Sequence, residues 1–330
     1  MGSIKQQRVQ ATIRGERPDR VPCSFWTHFP GIDLDAVKLA ETTFNFYRQL
    51  DLDFVKNMSN GLFSIEDWGC ICDFSEIERG GVAKVMKYAI ETSDDWRALK
   101  ELDINKGALG RELQSLEYLL ALMKGDAPVL VTIFSPMTTA QKLCGPAFFQ
   151  HLRTSPEKVI DALQVIAMST AQYAARAVEI GCSGVYFASQ LASYDLLTQR
   201  EYHEFGVRFD LQVLNSLGNT AWFNVMHVHG DNIMFNLLKD YSVHAISWHV
   251  WETAPTVEAF LSASINKCIV GGLQRFHITA DARNEITADI SRMVEITGGK
   301  RLLLAPGCVI RSPFDMDTLI FTRQAIAHAG

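Results

Sequence analysis

The chain has 330 residues, 48% of them hydrophobic, with 31 basic against 37 acidic side chains and a formal charge of −6. That balance, with no run of Lys and Arg, offers a phosphate backbone nothing to hold and argues against a nucleic-acid partner. No stretch is long and apolar enough to cross a bilayer, so no membrane partner is expected.

The start, Met1 to Arg20, is polar and charged and carries no apolar signal core. Seven cysteines lie scattered along the chain, an odd number with no dense framework, which suits a reducing, cytoplasmic compartment. The closest pair, Cys70 and Cys72, lacks the redox Cys-x-x-Cys spacing and reads as ordinary packing.

Short apolar runs alternate with longer helical stretches. The runs expected as strands are Val21–Phe29, Phe54–Met58, Val129–Phe134, Gly184–Ala188, Thr220–Met226, Ala245–His249, Lys267–Gly271 and Leu302–Ala305. Mostly apolar residues suit strands buried on both faces of a parallel sheet. The connection from Asp73 to Asp126 is longer than one helix needs, and its charged part, Glu91–Lys106, is expected to form excursions and helices outside the sheet. Ser155-Pro156-Glu157 predicts a helix start, with serine at the N-cap, proline in the first turn and an acid at the positive end. Apolar residues follow at helical spacing through Val159, Leu163, Ile166 and Ala174. Ala254-Pro255-Thr256-Val257-Glu258 opens another helix, and a further one is read over Ala288–Ile296 with Thr287 or a neighbour as its cap.

Eight strands with intervening helices predict an α/β fold, a (β/α)8 TIM barrel with extra helices at the N-terminus and between the second and third strands. No linker or repeat divides the chain, so residues 1–330 are read as one domain. A doubly wound sheet competes, but no Gly-x-Gly-x-x-Gly follows the first strand, and no cofactor held by a glycine-rich motif is expected.

In such barrels the active site lies at the carboxyl ends of the strands. That rule selects His28 after the first run, Asn57 and Ser59 after the second, Ser135 after the third and Ser189 after the fourth. It then selects His227 and His229, Trp248 and His249, Gly271 and Gly272, and Cys308. Four of the nine histidines therefore fall on one rim.

The densest chemistry is Met226-His227-Val228-His229-Gly230-Asp231-Asn232 together with Ala305-Pro306-Gly307-Cys308. Imidazole and thiolate are zinc-type ligands, and three protein ligands leave a fourth position open for chemistry. His227, His229 and Cys308 are therefore the candidate metal ligands. The plain alternative is a pair of histidines hydrogen-bonded in a pocket and a cysteine acting as a small buried hydrophobe.

Several segments, in order, resemble the uroporphyrinogen decarboxylase superfamily over essentially the whole chain. They are Ala11-x-x-Arg14-Gly15-Glu16-Arg17-Pro18-Asp19-Arg20-Val21-Pro22, Thr92-Ser93-Asp94-Asp95-Trp96-x-x-Leu99, Tyr202-His203-Glu204-Phe205, His227-x-His229-Gly230 and Pro306-Gly307-Cys308. The superfamily includes porphyrinogen decarboxylases, methyltransferases that move a methyl group between a corrinoid and a thiol, and related demethylases. The decarboxylase branch has an arginine-rich segment after the first strand. Here Ser24-Phe25-Trp26-Thr27-His28-Phe29-Pro30-Gly31 has no arginine, which counts against a substrate with many carboxylates. The methyltransferase branch takes zinc on a His-x-Cys-Gly motif and a later Gly-Cys. His227, His229 and Cys308 stand at the matching positions, with one thiolate replaced by imidazole. That exchange makes the ligand set less anionic and leaves room for water activation as well as thiol methylation.

Three readings follow. The first is zinc-dependent methyl transfer or demethylation involving a thiol or corrinoid, with Glu66 as a further ligand or base, or else a plain helix-capping carboxylate. The corrinoid would arrive on a separate protein, because no Asp-x-His-x-x-Gly motif is present. The second is decarboxylation of a small or porphyrinogen-like carboxylate. His28, His227, His229 and His249 would supply protons and Arg311 an anchor, unless His249 is a core imidazole and Arg311 a surface ion pair. The third is a ligand-binding barrel without catalysis. Trp26, Phe29, Ser189 and Trp248 are the candidate substrate contacts, although aromatics near strand ends also pack loops. A small-molecule substrate is expected throughout, and a homodimer by analogy with the family.

Overall fold

Apolar runs bounded by turns become the strands of one parallel sheet in the computed structural model, which describes residues 2–329 apart from 77, 78, 80–82 and 264. The strands are β1 (Val55–Lys56), a separate antiparallel hairpin of β2 (Ile71–Asp73) and β3 (Lys84–Lys87), then β4 (Val129–Phe134), β5 (Gly184–Ser189), β6 (Val225–Val228), β7 (Ala245–Ser247), β8 (Cys268–Leu273) and β9 (Leu302–Pro306). The main sheet has the order β1-β4-β5-β6-β7-β8-β9, and every pair in it is parallel.

The sheet curls, and the segment at 21–27 joins its two edges. Leu304 N donates to Pro22 O and Ser24 N to Leu304 O on the β9 side, while Asp53 N donates to Cys23 O on the β1 side. The expected strand Val21–Phe29 is therefore corrected to isolated bridges, Cys23 with Leu304 and Thr27 with Ile310. Pro22 has no N–H to give a ladder, which explains the interruption. The fold is the expected TIM-barrel type.

Helices cover the outside. The N-terminal helix Ile4–Arg14 is capped by Ser3 Oγ accepting from Gln6 N and stops at Gly15, whose φ of 80° is left-handed. It is tied to the barrel floor through Arg8, which pairs with Asp19 and with the fully buried Asp53, and Arg20 also pairs with Asp53. Two guanidiniums and the Cys23 N–H offset the burial of that carboxylate. Extra helices Phe63–Glu66 and Gly107–Met123 lie between β1 and β4 with the hairpin, as expected for the long connection.

Other boundaries moved. Gly218–Thr220 is a helical turn and β6 starts only at Val225, so the Thr220–Met226 run is shifted and His227 lies inside the strand. Helix Pro156–Glu179 forms, but the Ser155 side chain makes no capping bond. The last predicted helix starts at Arg283 rather than Ala288, and Thr287 lies within it, donating to Arg283 O instead of capping. The strand expected to end at Gly271 runs on through Gly272 to Leu273.

Candidate metal and ligand site

Side chains alternate across a strand, so residues two apart share a face. His227 and His229 thus point the same way from β6 and its end, and Ser247 and His249 do so from β7. Register places His227 beside Ser247, and Ser247 Oγ lies 3.2 Å from His227 Nδ1. Occupying Nδ1 leaves Nε2 for the cavity side. His229 is held by its backbone N–H donating 2.9 Å to Ser189 O. Cys308 follows β9, where Gly307 is needed for close approach: a Cβ there would lie 3.3 Å from both His249 Cα and Trp248 O.

The donor atoms of His227, His229, His249 and Cys308 all lie within 4.8 Å of one another. Cys308 Sγ is 3.6 Å from His229 Nδ1, and the His229 and His249 rings meet edge to face at 4.9 Å. A tetrahedral zinc site needs donors roughly 3.3–3.8 Å apart, so small side-chain movements bring this set to bonding geometry. His249 Nε2 is buried with no hydrogen-bond partner, while its Nδ1 is 3.6 Å from Glu252 Oε2.

Burial keeps all three rings neutral, which is the ligating form. It pushes His229 and His249 down to about 4, helped for His229 by His249 and Arg275 and for His249 by Arg275. His227 lies well below its ordinary value, through burial and its two histidine neighbours. Burial raises the Cys308 thiol, against the pull of Arg275, Lys56 and Arg311.

The cluster opens into a cavity of about 360 Å³, in the range of small-molecule sites. Trp26, Leu62, Phe134 and Tyr186 give it an apolar wall, and His28, Lys56, Lys142, Arg275 and Arg311 add basic groups. Among the described lining residues none is a carboxylate.

Of the residues expected from the sequence, the fold gathers His227, His229, Cys308, His28, Trp26 and Arg311 around this cavity. His249, expected in catalysis, stands among the candidate ligands. Four others are elsewhere. Glu66 pairs with Arg111 at 2.9 Å. Phe29 packs edge to face on Phe46. Ser189 Oγ lies 2.8 Å from Tyr202 OH. Trp248 is fully buried, stacked on Phe260 with Nε1 donating to Pro255 O. Each of the four has another partner: an arginine for Glu66, a phenylalanine ring for Phe29, a tyrosine hydroxyl for Ser189, and a phenylalanine ring with a backbone carbonyl for Trp248. Sequence reasoning missed Lys56, Lys142 and Arg275. A lysine inside the short strand run Phe54–Met58 is a legible anomaly, whereas Lys142 on helix Pro136–Cys144 carries no comparable signal.

The sequence pattern of the Uroporphyrinogen decarboxylase (URO-D) family matches residues 4–327. The chain belongs to this family. Relatives of this URO-D member include the methylcobamide:CoM methyltransferase MtbA of Methanosarcina acetivorans, 22% identical over 321 residues and 93% of each chain. The protein of the same name from Methanosarcina mazei is 21% identical over 322 residues, 93% of this chain and 94% of its own. Among solved structures, a methyltransferase from Methanosarcina mazei matches with a TM-score of 0.83 at 18% identity over 99% of both chains. A B12-independent methionine synthase from Shewanella sp. W3-18-1 matches with a TM-score of 0.57 at 11% identity, over 89% of this chain and 86% of that one. At such identities the structural matches establish a shared fold, and chemistry has to be argued from the site.

Proposed function

We propose that this URO-D family member is a zinc-dependent methyltransferase that moves a methyl group between a corrinoid carried on a separate protein and a small-molecule thiol. The observation that carries the reading is the convergence of three neutral imidazoles and one thiol, three of these four residues lining the cavity. The orphaned Nε2 of His249 supports it, because a buried polar atom without a partner is costly unless a ligand satisfies it. The methyltransferase relatives support it independently.

His227, His229, His249 and Cys308 would hold the ion. Bound there, zinc would act as a Lewis acid and stabilise a thiol as its thiolate near neutral pH. With one thiolate among its donors, a zinc ion there would keep a net positive charge and favour an anionic incoming ligand, which would enter as a fifth donor or in place of one of the four. Ser247 orients His227, and Glu252 faces the far nitrogen of His249. The apolar wall of Trp26, Tyr186 and Phe134 keeps water from the reacting groups. A second reading, decarboxylation of a small organic acid, is favoured by the basic groups that line the same cavity.

Metal analysis and single turnover test the proposal. Purified protein should carry one zinc, lost in Cys308→Ala and His227→Ala. With methylcobalamin and a thiol it should give the absorbance change of demethylation. Retention of zinc by both variants, or carbon dioxide release from an acid in place of methyl transfer, overturns it.

A further inference from the structure

Alternate residues of neighbouring strands line the cavity: Thr132 and Phe134 on β4, Tyr186 and Ala188 on β5, His227 and His229 on β6 and its end. On β1 the lining residue is Lys56, so a long amine stands inside a barrel whose interior is ordinarily filled by apolar side chains. It is 6% exposed. Its Nζ lies over two rings, 5.1 Å from the centre of Tyr186 and 6.0 Å from that of Trp26. The Tyr186 hydroxyl is placed elsewhere, 3.3 Å from Ser247 Oγ. Among the described residues the one polar contact of Nζ is the carbonyl of the adjacent Asn57, at a long 3.4 Å, and no lining carboxylate pairs with it. Lys142, the other lysine of the cavity, is tied to Gly61 O at 2.8 Å. Lys56 is thus an amine walled by aromatic faces, beside an open volume and held firmly by nothing polar. Burial lowers it to about 8, which leaves about a tenth of it as free amine at pH 7, against a trace for an exposed lysine.

We infer that Lys56 is an imine-forming nucleophile, which condenses with the carbonyl group of an aldehyde or ketone that enters the cavity. The activity lies beyond methyl transfer and uses none of the candidate metal ligands. Nζ bonds to the carbonyl carbon, the π pair of the C=O bond moves to oxygen, and that oxygen then leaves as water. Both protons of the water come from the ammonium form of Lys56. Ammonium and carbonyl therefore give protonated imine and water, with no further reactant. The product keeps its positive charge on the same nitrogen, so the faces of Tyr186 and Trp26 that attract the ammonium attract the iminium as well. Leu62 and Phe134 offer the body of the carbonyl compound an apolar surface.

Reductive trapping tests the inference. Wild-type protein is mixed at pH 7 with benzaldehyde and cyanoborohydride, which reduces an iminium to a stable amine and spares the aldehyde. Peptide mapping by mass spectrometry then reads which lysines carry the benzyl group. Lys56 should take the first equivalent, at least about tenfold faster than exposed lysines such as Lys38 and Lys106. Lys56→Arg keeps a cation between the rings but cannot form the imine. Checked for folding by circular dichroism, it should lose that fast equivalent and keep the slow labelling of the exposed lysines. The wild-type map stands even if this variant fails to fold. A first equivalent on Lys142, labelling of Lys56 no faster than that of the exposed lysines, or an undiminished fast equivalent in folded Lys56→Arg overturns the inference.

Discussion

Cys308 Sγ lies 3.6 Å from His229 Nδ1 although 79 positions separate them in the chain. Neither strand neighbours the other: β6 and β9 are separated in the sheet by β7 and β8. Curvature of the barrel brings their carboxyl ends across the mouth, and the small Gly307 lets the turn after β9 press against the backbone of His249. The candidate centre is thus a product of closure, assembled from three strand ends.

Ser247 fixes the orientation of one candidate donor and should tune the affinity of the proposed centre. Ser247→Ala leaves His227 Nδ1 without its 3.2 Å partner. Loss of such an orienting bond typically weakens metal binding about 10- to 100-fold, and a chelator-competition titration reads it directly. Unchanged affinity would show that the ring is held by packing alone, for example by its stacking on Tyr186.

Glu66 should matter for stability and not for metal. Both its oxygens accept from Arg111, at 2.9 and 3.2 Å, in a largely buried pair. Glu66→Gln leaves that guanidinium undercompensated and should cost about 1–3 kcal/mol in urea unfolding. Zinc stoichiometry should be unchanged; a loss of zinc would return Glu66 to the ligand set.

Trp248→Ala tests a packing role. The indole is fully buried against Phe260, and its removal should destabilise by about 3–5 kcal/mol in the same assay. Trp248→Phe should cost less and leave the zinc stoichiometry unchanged, since the indole does not line the cavity. Loss of zinc in the phenylalanine variant would show that the indole shapes the candidate metal site.

The pH dependence of stability should report two opposing sets of buried groups. In the metal-free protein His28, His229 and His249 sit at about 4, mainly through burial, against about 6.5 when unfolded. Between those values the unfolded chain binds more protons, so these groups add stability as pH rises and lose it as pH falls through about 4. Asp210 acts the other way. Burial raises it to about 7 despite hydrogen bonds from Tyr202 and Tyr241. Below its unfolded value near 3.9 it is protonated in both states; above that, its contribution is lost as pH rises to about 7. Asp210→Asn should therefore steepen the rise of stability with pH between about 4.5 and 6.5 by about 1.4 kcal/mol per unit, measured by urea unfolding at several pH values. An unaltered slope would mean that Asp210 is already ionised in the native state.

Strand period and strand-end position are local properties, so the barrel and the rim histidines could be read from the chain. His227 and His229 share a face because they are two residues apart, whatever else the chain does. Contacts between distant segments were not legible. The sequence could not show that Ser247 would meet His227, that His249 would stand with the candidate ligands, or that Trp248 would turn to Phe260. Nor could it show that Lys56 and Lys142, 86 positions apart, would face one cavity. Local patterns specify which way a side chain leaves its own backbone. Only closure of the sheet decides what it meets there, because that depends on register, curvature and the packing of segments that carry no mark of one another.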